Sequence, residues 1–335
     1  MNDIQPNSHG LWAATASEAP ITSSLNDTLD TEFAIVGAGY TGLNAALHLR
    51  SQGREVAVLE SGAIGQGCSG RNGGQVNPGW KMDLWEIQAH YGRDWGEQAV
   101  GLALRSVPDL AALIQTEGLS CDFVHNGYVQ GAKGARGLAS INQRVAQWVD
   151  RGIEAEILSA QGAEDLLGTA AYDGALLHSQ GSNLQPLSYV RELARLGLSR
   201  GVQIFTETIA LSVTKQGDGL LIKTEGATLK AKSLIIATNG YTDGFWPKLN
   251  EAVVSVASSL SATEPLPAAV AASILPGLHS VSETRRIQVY YRMTKDHRFV
   301  IGGRGATFGA AENGSTDHVR RIAERYFPAL VGANW

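Results

Sequence analysis

The sequence predicts an α/β protein. Its first part is a Rossmann-like nucleotide-binding domain with a parallel sheet and a small antiparallel meander; its second is an inserted α+β domain with a mixed sheet. Three observations predict this. Residues 33–60 read as strand, glycine turn, helix and strand, with an acid at the tip of the second strand. Residues 233–237 form a short apolar run of the kind that makes a buried parallel strand. Between and after these lie long helical patterns and a late strand pair, so the nucleotide-binding domain is discontinuous.

Residues 1–30 are polar and turn-rich and are expected to lie as an arm over the surface. Phe33-Ala34-Ile35-Val36 is the first strand, followed by Gly37-Ala38-Gly39-Tyr40-Thr41-Gly42, an amphipathic run from Leu43 to Leu49, a stop at Gly53, and the strand Val56-Ala57-Val58-Leu59 ending at Glu60. The glycines have separate tasks: Gly37 allows the tight turn, Gly39 lets the backbone approach a pyrophosphate, and Gly42 lets the helix pack closely on the strand. The helix N-terminus holds phosphates with its N–H groups and its dipole. Glu60 can accept both hydroxyls of an adenosine ribose, and its charge disfavours a 2′-phosphate. A second match to the spacing, at residues 65–70, runs into Arg71-Asn72-Gly73-Gly74 and cannot start a helix.

Residues 61–80 hold seven glycines, and a loop of that length inside a domain is usually functional. Helical patterns follow from Met82 to Tyr91, Trp95 to Glu117 and Leu138 to Arg151, with a strand at Tyr128-Val129-Gln130 and a short helix beginning at Ser159. Ala175 to His178 is a strand, Pro186 to Arg200 a helix, and Val202 to Phe205 a strand. Residues 209–213, 220–224 and 228–230 suggest the meander, and Thr238-Asn239-Gly240-Tyr241 closes the buried strand that follows. Residues 286–293 and 298–303 form a strand pair, and 316–326 a last helix. The expected division is 31–85 and 173–247 for the nucleotide-binding domain, 86–172 and 248–335 for the substrate domain.

Composition excludes several classes. The net charge is −5 with no basic stripe, which argues against a nucleic-acid partner. The apolar stretch 253–275 is broken by Glu264, Pro265 and Pro267, so no membrane span is expected. The N-terminus lacks a signal-peptide pattern, and two cysteines without metal-ligand spacing suggest a cytoplasmic protein with no metal site.

Three segments resemble the D-amino-acid oxidase-like FAD-dependent amine oxidoreductases: 37–43 with Glu60-Ser61, Gly67-Cys68-Ser69-Gly70-Arg71-Asn72-Gly73-Gly74-Gln75, and Ala237-Thr238-Asn239-Gly240-Tyr241. Leu11-Trp12-Ala13-Ala14, Cys121-Asp122 and Arg298-Phe299-Val300-Ile301-Gly302-Gly303 look like that family's gamma-glutamylputrescine oxidoreductase branch. The resemblance implies non-covalent FAD held by Gly37, Gly39, Tyr40, Thr41, Gly42, Glu60, Ser61, Ser69, Arg71, Asn72, Gly73, Gly74, Gln75, Ile209, Ala237, Thr238 and Gly240. A glycine-rich loop suits a flavin, whose broad ring is held along its edge by backbone. Cys68 stands where the branch usually has alanine.

The same resemblance implies oxidation of a C–N bond by hydride transfer to flavin N5, with oxygen or another acceptor reoxidising the flavin. The substrate is a small amine such as a gamma-glutamyl polyamine; an amino-acid or imino-acid oxidase of the same fold and a non-catalytic nucleotide-binding protein are the alternatives. Tyr290, Tyr291, Arg292, Arg304 and His178 are candidates around the substrate, and Lys81 for the oxygen reaction; each is otherwise an ordinary strand or surface residue. On an extended strand Tyr290 and Arg292 share one face and Tyr291 takes the other. Chains of this family also continue into a Gly-x-x-Gly-x-Gly turn. That motif does not occur in these 335 residues, so the C-terminal FAD-contacting segment is expected to be missing and the chain truncated.

Overall fold

Phe33 pairs with Val56 and Val36 with Leu59 in parallel register, which places the first two predicted strands side by side. The computed structural model of the chain describes residues 10–254, 256, 258–304 and 316–335. Residues 1–9 of the expected arm lie outside the described residues. Two units are distinguished: Met1–Asn72, Glu117–Cys121 and Gln185–Val256 form the first, and Gly73–Thr116, Asp122–Leu184 and Ala257–Trp335 the second.

The first unit is built on a six-stranded sheet, in spatial order Gln203–Phe205, Val56–Leu59, Leu29–Val36, Thr228–Ile236, Gly219–Lys223 and Ser212–Gln216. The first four strands are parallel, and the last two add an antiparallel meander. Alternation sorts the faces: Ala34 and Val36 join Ala57, Leu59, Ile222 and Leu229 in one core, while Ile35 faces the helix Tyr40–Ser51 beside Gly42. The helix Pro186–Ser199 packs on that helix, with Tyr40 and Tyr189 rings 5.2 Å apart. It starts where Gln185 accepts the Ser188 N–H at 2.7 Å and Pro186 opens the first turn.

The meander and the apolar run were expected as separate strands, but they are one, Thr228–Ile236. Nothing in Ala231-Lys232 breaks an extended chain, and Leu229 and Ala231 point inward while Lys230 and Lys232 point out. Among the described residues, the part from Ser233 to Ile236 pairs only with the strand Leu29–Val36, and it is half-buried or exposed rather than buried as expected.

The second unit holds a seven-stranded mixed sheet, in order Ser258–Ala262, Phe299–Arg304, Tyr290–Met293, Ser280–Glu283, Tyr128–Ala132, Gly174–His178 and Ala155–Ser159. Only the pair Ser280–Glu283 and Tyr128–Ala132 is parallel. Tyr291, Phe299, Tyr326 and Phe327 form the aromatic centre of its core. A small antiparallel ladder joins Gln75–Val76 to Ser182–Asn183. The helix Leu84–Tyr91 begins with a reciprocal cap between Asp83 and Glu86.

The expected boundaries need correction. Residues 73–85 and 173–184 belong to the second unit, because Gly174–His178 is hydrogen-bonded between two strands of the mixed sheet and Gln75–Val76 pairs within that unit. Residues 248–256 belong to the first unit. Among the strands with no expectation are Ser280–Glu283 and Ala155–Ser159. Ser280–Glu283 is polar yet fully buried; Tyr128 Oη and Ser282 Oγ lie 2.5 Å apart, and the Glu283 carboxylate accepts the Tyr326 hydroxyl and the Val289 N–H. Ala155–Ser159 is an exposed edge strand.

Candidate functional site

In the first unit the glycine turn is shaped by close approach. A Cβ on Gly42 would lie 1.9 Å from the Gly37 carbonyl oxygen, so the helix can sit against the strand only with glycine there. Gly37 has φ +106° and its Cβ position lies 2.6 Å from the carbonyl of Ala237, the residue that ends the neighbouring strand. The Ala237 N–H in turn donates to the Val36 carbonyl at 2.8 Å. The helix N-cap is Gly39, which has no side chain to meet the first-turn N–H groups.

Glu60 lies at the end of the second strand, as expected. Its carboxylate accepts the Ala38 N–H at 2.8 Å, the Gly62 N–H at 3.2 Å and the Ser61 hydroxyl at 3.3 Å. Burial raises its pKa above the usual carboxylate value, and the two backbone N–H bonds oppose that rise. The Thr208 N–H donates to the Glu60 carbonyl at 2.9 Å, which brings half-buried Ile209 near this strand end.

The glycine-rich loop is fastened at the same turn. Ser69 Oγ accepts the Tyr40 N–H at 3.0 Å and occupies the space in front of Gly39. Asn72 Nδ2 reaches the Tyr40 hydroxyl and the carbonyls of Cys68 and Ser69, and the Tyr40 hydroxyl donates to Pro186 O. Arg71 Nε and Nη2 are buried and meet no hydrogen-bond acceptor among the described residues. Thr238 and Thr242 hydroxyls pair at 2.7 Å, next to Asn239 and Gly240 in a short turn, and Tyr241 Oη lies 3.3 Å from Cys68 Sγ. The Cys68–Tyr241 contact had no signal in the sequence, since the two residues are 173 positions apart. Thr41 and Ser61 are exposed.

In the second unit the loop continues as Gly73, Gly74 and Gln75. Gly74 has φ +70° and is buried, a conformation that favours glycine. Gln75 Nε2 donates to the carbonyls of Val281 and Tyr291 at 3.0 and 2.9 Å. Tyr290 and Arg292 share a strand face, as alternation predicts, and both meet Gly73. Tyr291 takes the other face and is buried in the aromatic core, its hydroxyl 2.9 Å from that of Tyr172. His178 is also enclosed, 1% exposed, with its ring edge-on to Trp148. These two were expected near substrate; in the structure both are buried. Arg292 is buried as well and donates to the backbone carbonyls of Gly73 and Leu184. Arg304, at the end of its strand, and Lys81 are exposed.

The residues fit an FAD at the nucleotide end. A helix N-terminus capped by glycine, an acid at the tip of the second strand, and an arginine with two buried, unmet donor atoms make a set that matches a pyrophosphate-containing ligand rich in acceptors. Comparison with known proteins decides the family. The model of the family described as DAO, FAD dependent oxidoreductase, matches residues 32–335. The chain belongs to the DAO family of FAD-dependent oxidoreductases. It is 29% identical to gamma-glutamylputrescine oxidoreductase of Escherichia coli (strain K12) over 96% of this chain and 75% of that protein. It is 28% identical to the probable oxidoreductase OrdL of Rhizobium meliloti (strain 1021), over 96% of this chain and 74% of the relative. Among solved structures, glycine oxidase from Geobacillus kaustophilus superposes with a TM-score of 0.72 at 20% identity, covering 92% of this chain and 80% of that one. L-proline dehydrogenase from P. horikoshii gives 0.72 at 16% identity, covering 92% and 79%. These likenesses support the fold of this DAO-family oxidoreductase. No helix among its described residues is long and apolar enough to cross a membrane.

Proposed function

We propose that this FAD-dependent oxidoreductase oxidises the C–N bond of a small amine, with gamma-glutamylputrescine or a related polyamine derivative as the substrate class. The observation that carries the cofactor half is Arg71, whose Nε and Nη2 are buried inside the Ser-Gly-Arg-Asn-Gly-Gly loop with no acceptor supplied by the described protein. Buried donor atoms left in that state are costly unless a ligand meets them. The amine half is supported by the relative named above, which covers nearly the whole chain.

Bound FAD supplies the hydride acceptor, and the chain's residues hold and orient it. In the first unit, Gly37, Gly39, Tyr40, Thr41 and Gly42 offer the helix N-terminus to the pyrophosphate. Glu60 and Ser61 orient the ribose; Ile209, Ala237, Thr238 and Gly240 line the adenosine side; and Ser69, Arg71 and Asn72 continue toward the ring. In the second unit, Gly73, Gly74 and Gln75 supply backbone for the ring edge. Tyr290 and Arg304 serve the substrate side, and Lys81 the reoxidation by oxygen or another acceptor. We place the protein in the cytoplasm, acting on a small molecule rather than a nucleic acid or a membrane.

Anaerobic bleaching of the flavin-loaded protein against a panel of amines and amino acids tests this. Bleaching by gamma-glutamylated diamines supports the reading. Bleaching by amino acids alone overturns the amine assignment, and no bleaching by either class overturns catalysis.

A further inference from the structure

Arg292 completes a ladder in the second unit. Gln75–Val76 and Ser182–Asn183 pair antiparallel, and the next bond along them runs from the Leu184 N–H to the Gly74 carbonyl at 2.8 Å. Beyond that rung, the carbonyls of Gly73 and Leu184 both turn toward one guanidinium. Arg292 Nε donates to Gly73 O at 2.7 Å, and its Nη2 donates to Leu184 O at 2.7 Å. These two donors lie on one edge of a rigid planar fork, so the side chain spans two acceptors at a fixed separation. The residue is 5% exposed. Buried, charge-assisted bonds of this kind are about twice as strong as neutral ones.

Two neighbours hold the same backbone. The Tyr290 ring lies 3.1 Å from where a Gly73 Cβ would be, and Gly302, its cross-strand partner, leaves the ring its room. Gln75 Nε2 ties the loop to Val281 O and Tyr291 O, across two strands paired through Val281 and Tyr291. Hydrogen bonds from Arg292 and Gln75 and the ring of Tyr290 thus meet at residues 73–75.

We propose that Arg292 is a positioning residue for the flavin, fixing the backbone of residues 73–75 in the shape that meets the cofactor, and is not a receptor for a substrate carboxylate. This rests on the reading of the chain as an FAD enzyme. Lysine at this place keeps the charge but is a single point donor, and cannot hold both carbonyls in the same geometry.

The test compares wild type with R292K in the full chain, by amide hydrogen exchange without cofactor and by FAD titration. In R292K, the Leu184 amide exchanges at least tenfold faster while amides of Val56–Leu59 are unchanged. The FAD dissociation constant rises at least tenfold and the shape of the visible flavin band changes. The amine concentration that half-bleaches the FAD-saturated variant stays within twofold. If FAD affinity is unchanged and that concentration rises, Arg292 binds substrate and the proposal is overturned. Unchanged exchange at Leu184 overturns it too. R292A is the stronger perturbation; should it fail to fold, R292K carries the test by itself. A wild-type chain that takes up no FAD is a separate result: it overturns the functional reading, while Leu184 exchange still judges the clamp without cofactor.

Discussion

Glu60 and Arg71 are the single residues at which the proposed cofactor site is most directly tested. Glu60 already accepts the Ala38 and Gly62 N–H groups, so its orientation is set before a ribose arrives. Changing it to glutamine keeps the shape and removes the charge. One charge-assisted hydrogen bond is worth about 1.5–3 kcal/mol, so E60Q should bind FAD about tenfold more weakly or worse. Equal affinity in a fluorescence titration would refute the ribose assignment. Arg71 has the opposite signature, because Nε and Nη2 have no acceptor among the described residues. R71A should therefore lose FAD affinity by about tenfold or more without destabilising the cofactor-free protein, since it removes an unmet buried donor. A clear fall in the melting temperature of cofactor-free R71A would show that the guanidinium has a structural role instead.

At the scale of elements, the contact between the glycine turn and its helix is set by one missing methyl group. A Cβ at Gly42 would sit 1.9 Å from Gly37 O, in the turn, and 3.2 Å from Ile35 Cγ2, on the strand beneath. Backbone cannot swing aside as a flexible side chain can, so G42A should push the helix Tyr40–Ser51 off the sheet. Overpacking of this kind costs about 1–3 kcal/mol. Calorimetry should show a melting temperature lowered by several degrees and FAD affinity lowered with it, because the helix N-terminus moves away from the turn. A G42A protein that melts and binds FAD like wild type would contradict the packing account. The periodicities that located this helix and the strands around it were local and strong. The strand Ser280–Glu283 gave no such signal, because hydroxyls and a carboxylate become core residues only once partners such as Tyr128 and Tyr326 reach them.

Across the whole molecule, acid should destabilise the fold through buried histidine. His178 Nδ1 accepts the Gln180 N–H at 3.2 Å, its ring is packed against Trp148, and burial lowers its pKa from 6.5 to about 4. Burial lowers the pKa of His279 in the same direction. The folded protein then binds fewer protons than the unfolded chain between about pH 6.5 and pH 4, so stability falls as pH drops through that window. A shift of this size corresponds to about 3 kcal/mol from His178, at 1.36 kcal/mol per unit. Denaturant titrations across that range should show the loss, and H178Q should flatten it. An equally steep acid limb in H178Q would assign the effect elsewhere.

By itself, the sequence determined the fold class, the family and the glycine turn with Glu60 at the tip of the second strand. Gly37, Gly39, Gly42 and Glu60 lie within one βαβ unit, so their spacing along the chain already sets their spacing in space. It also placed Tyr290 and Arg292 on one strand face and Tyr291 on the other, because side chains alternate along any extended strand. What Arg292, Tyr291 and His178 do on those faces was decided only by the tertiary structure. Their burial depends on Gly73, Leu184, Tyr172 and Trp148, residues 30 to 219 positions away along the chain. The same holds for the unit boundaries, where Gly174–His178 joined the mixed sheet between Tyr128–Ala132 and the edge strand Ala155–Ser159. Local pattern records which way a side chain points. Only long-range pairing determines whether it then meets water, a carbonyl or the core.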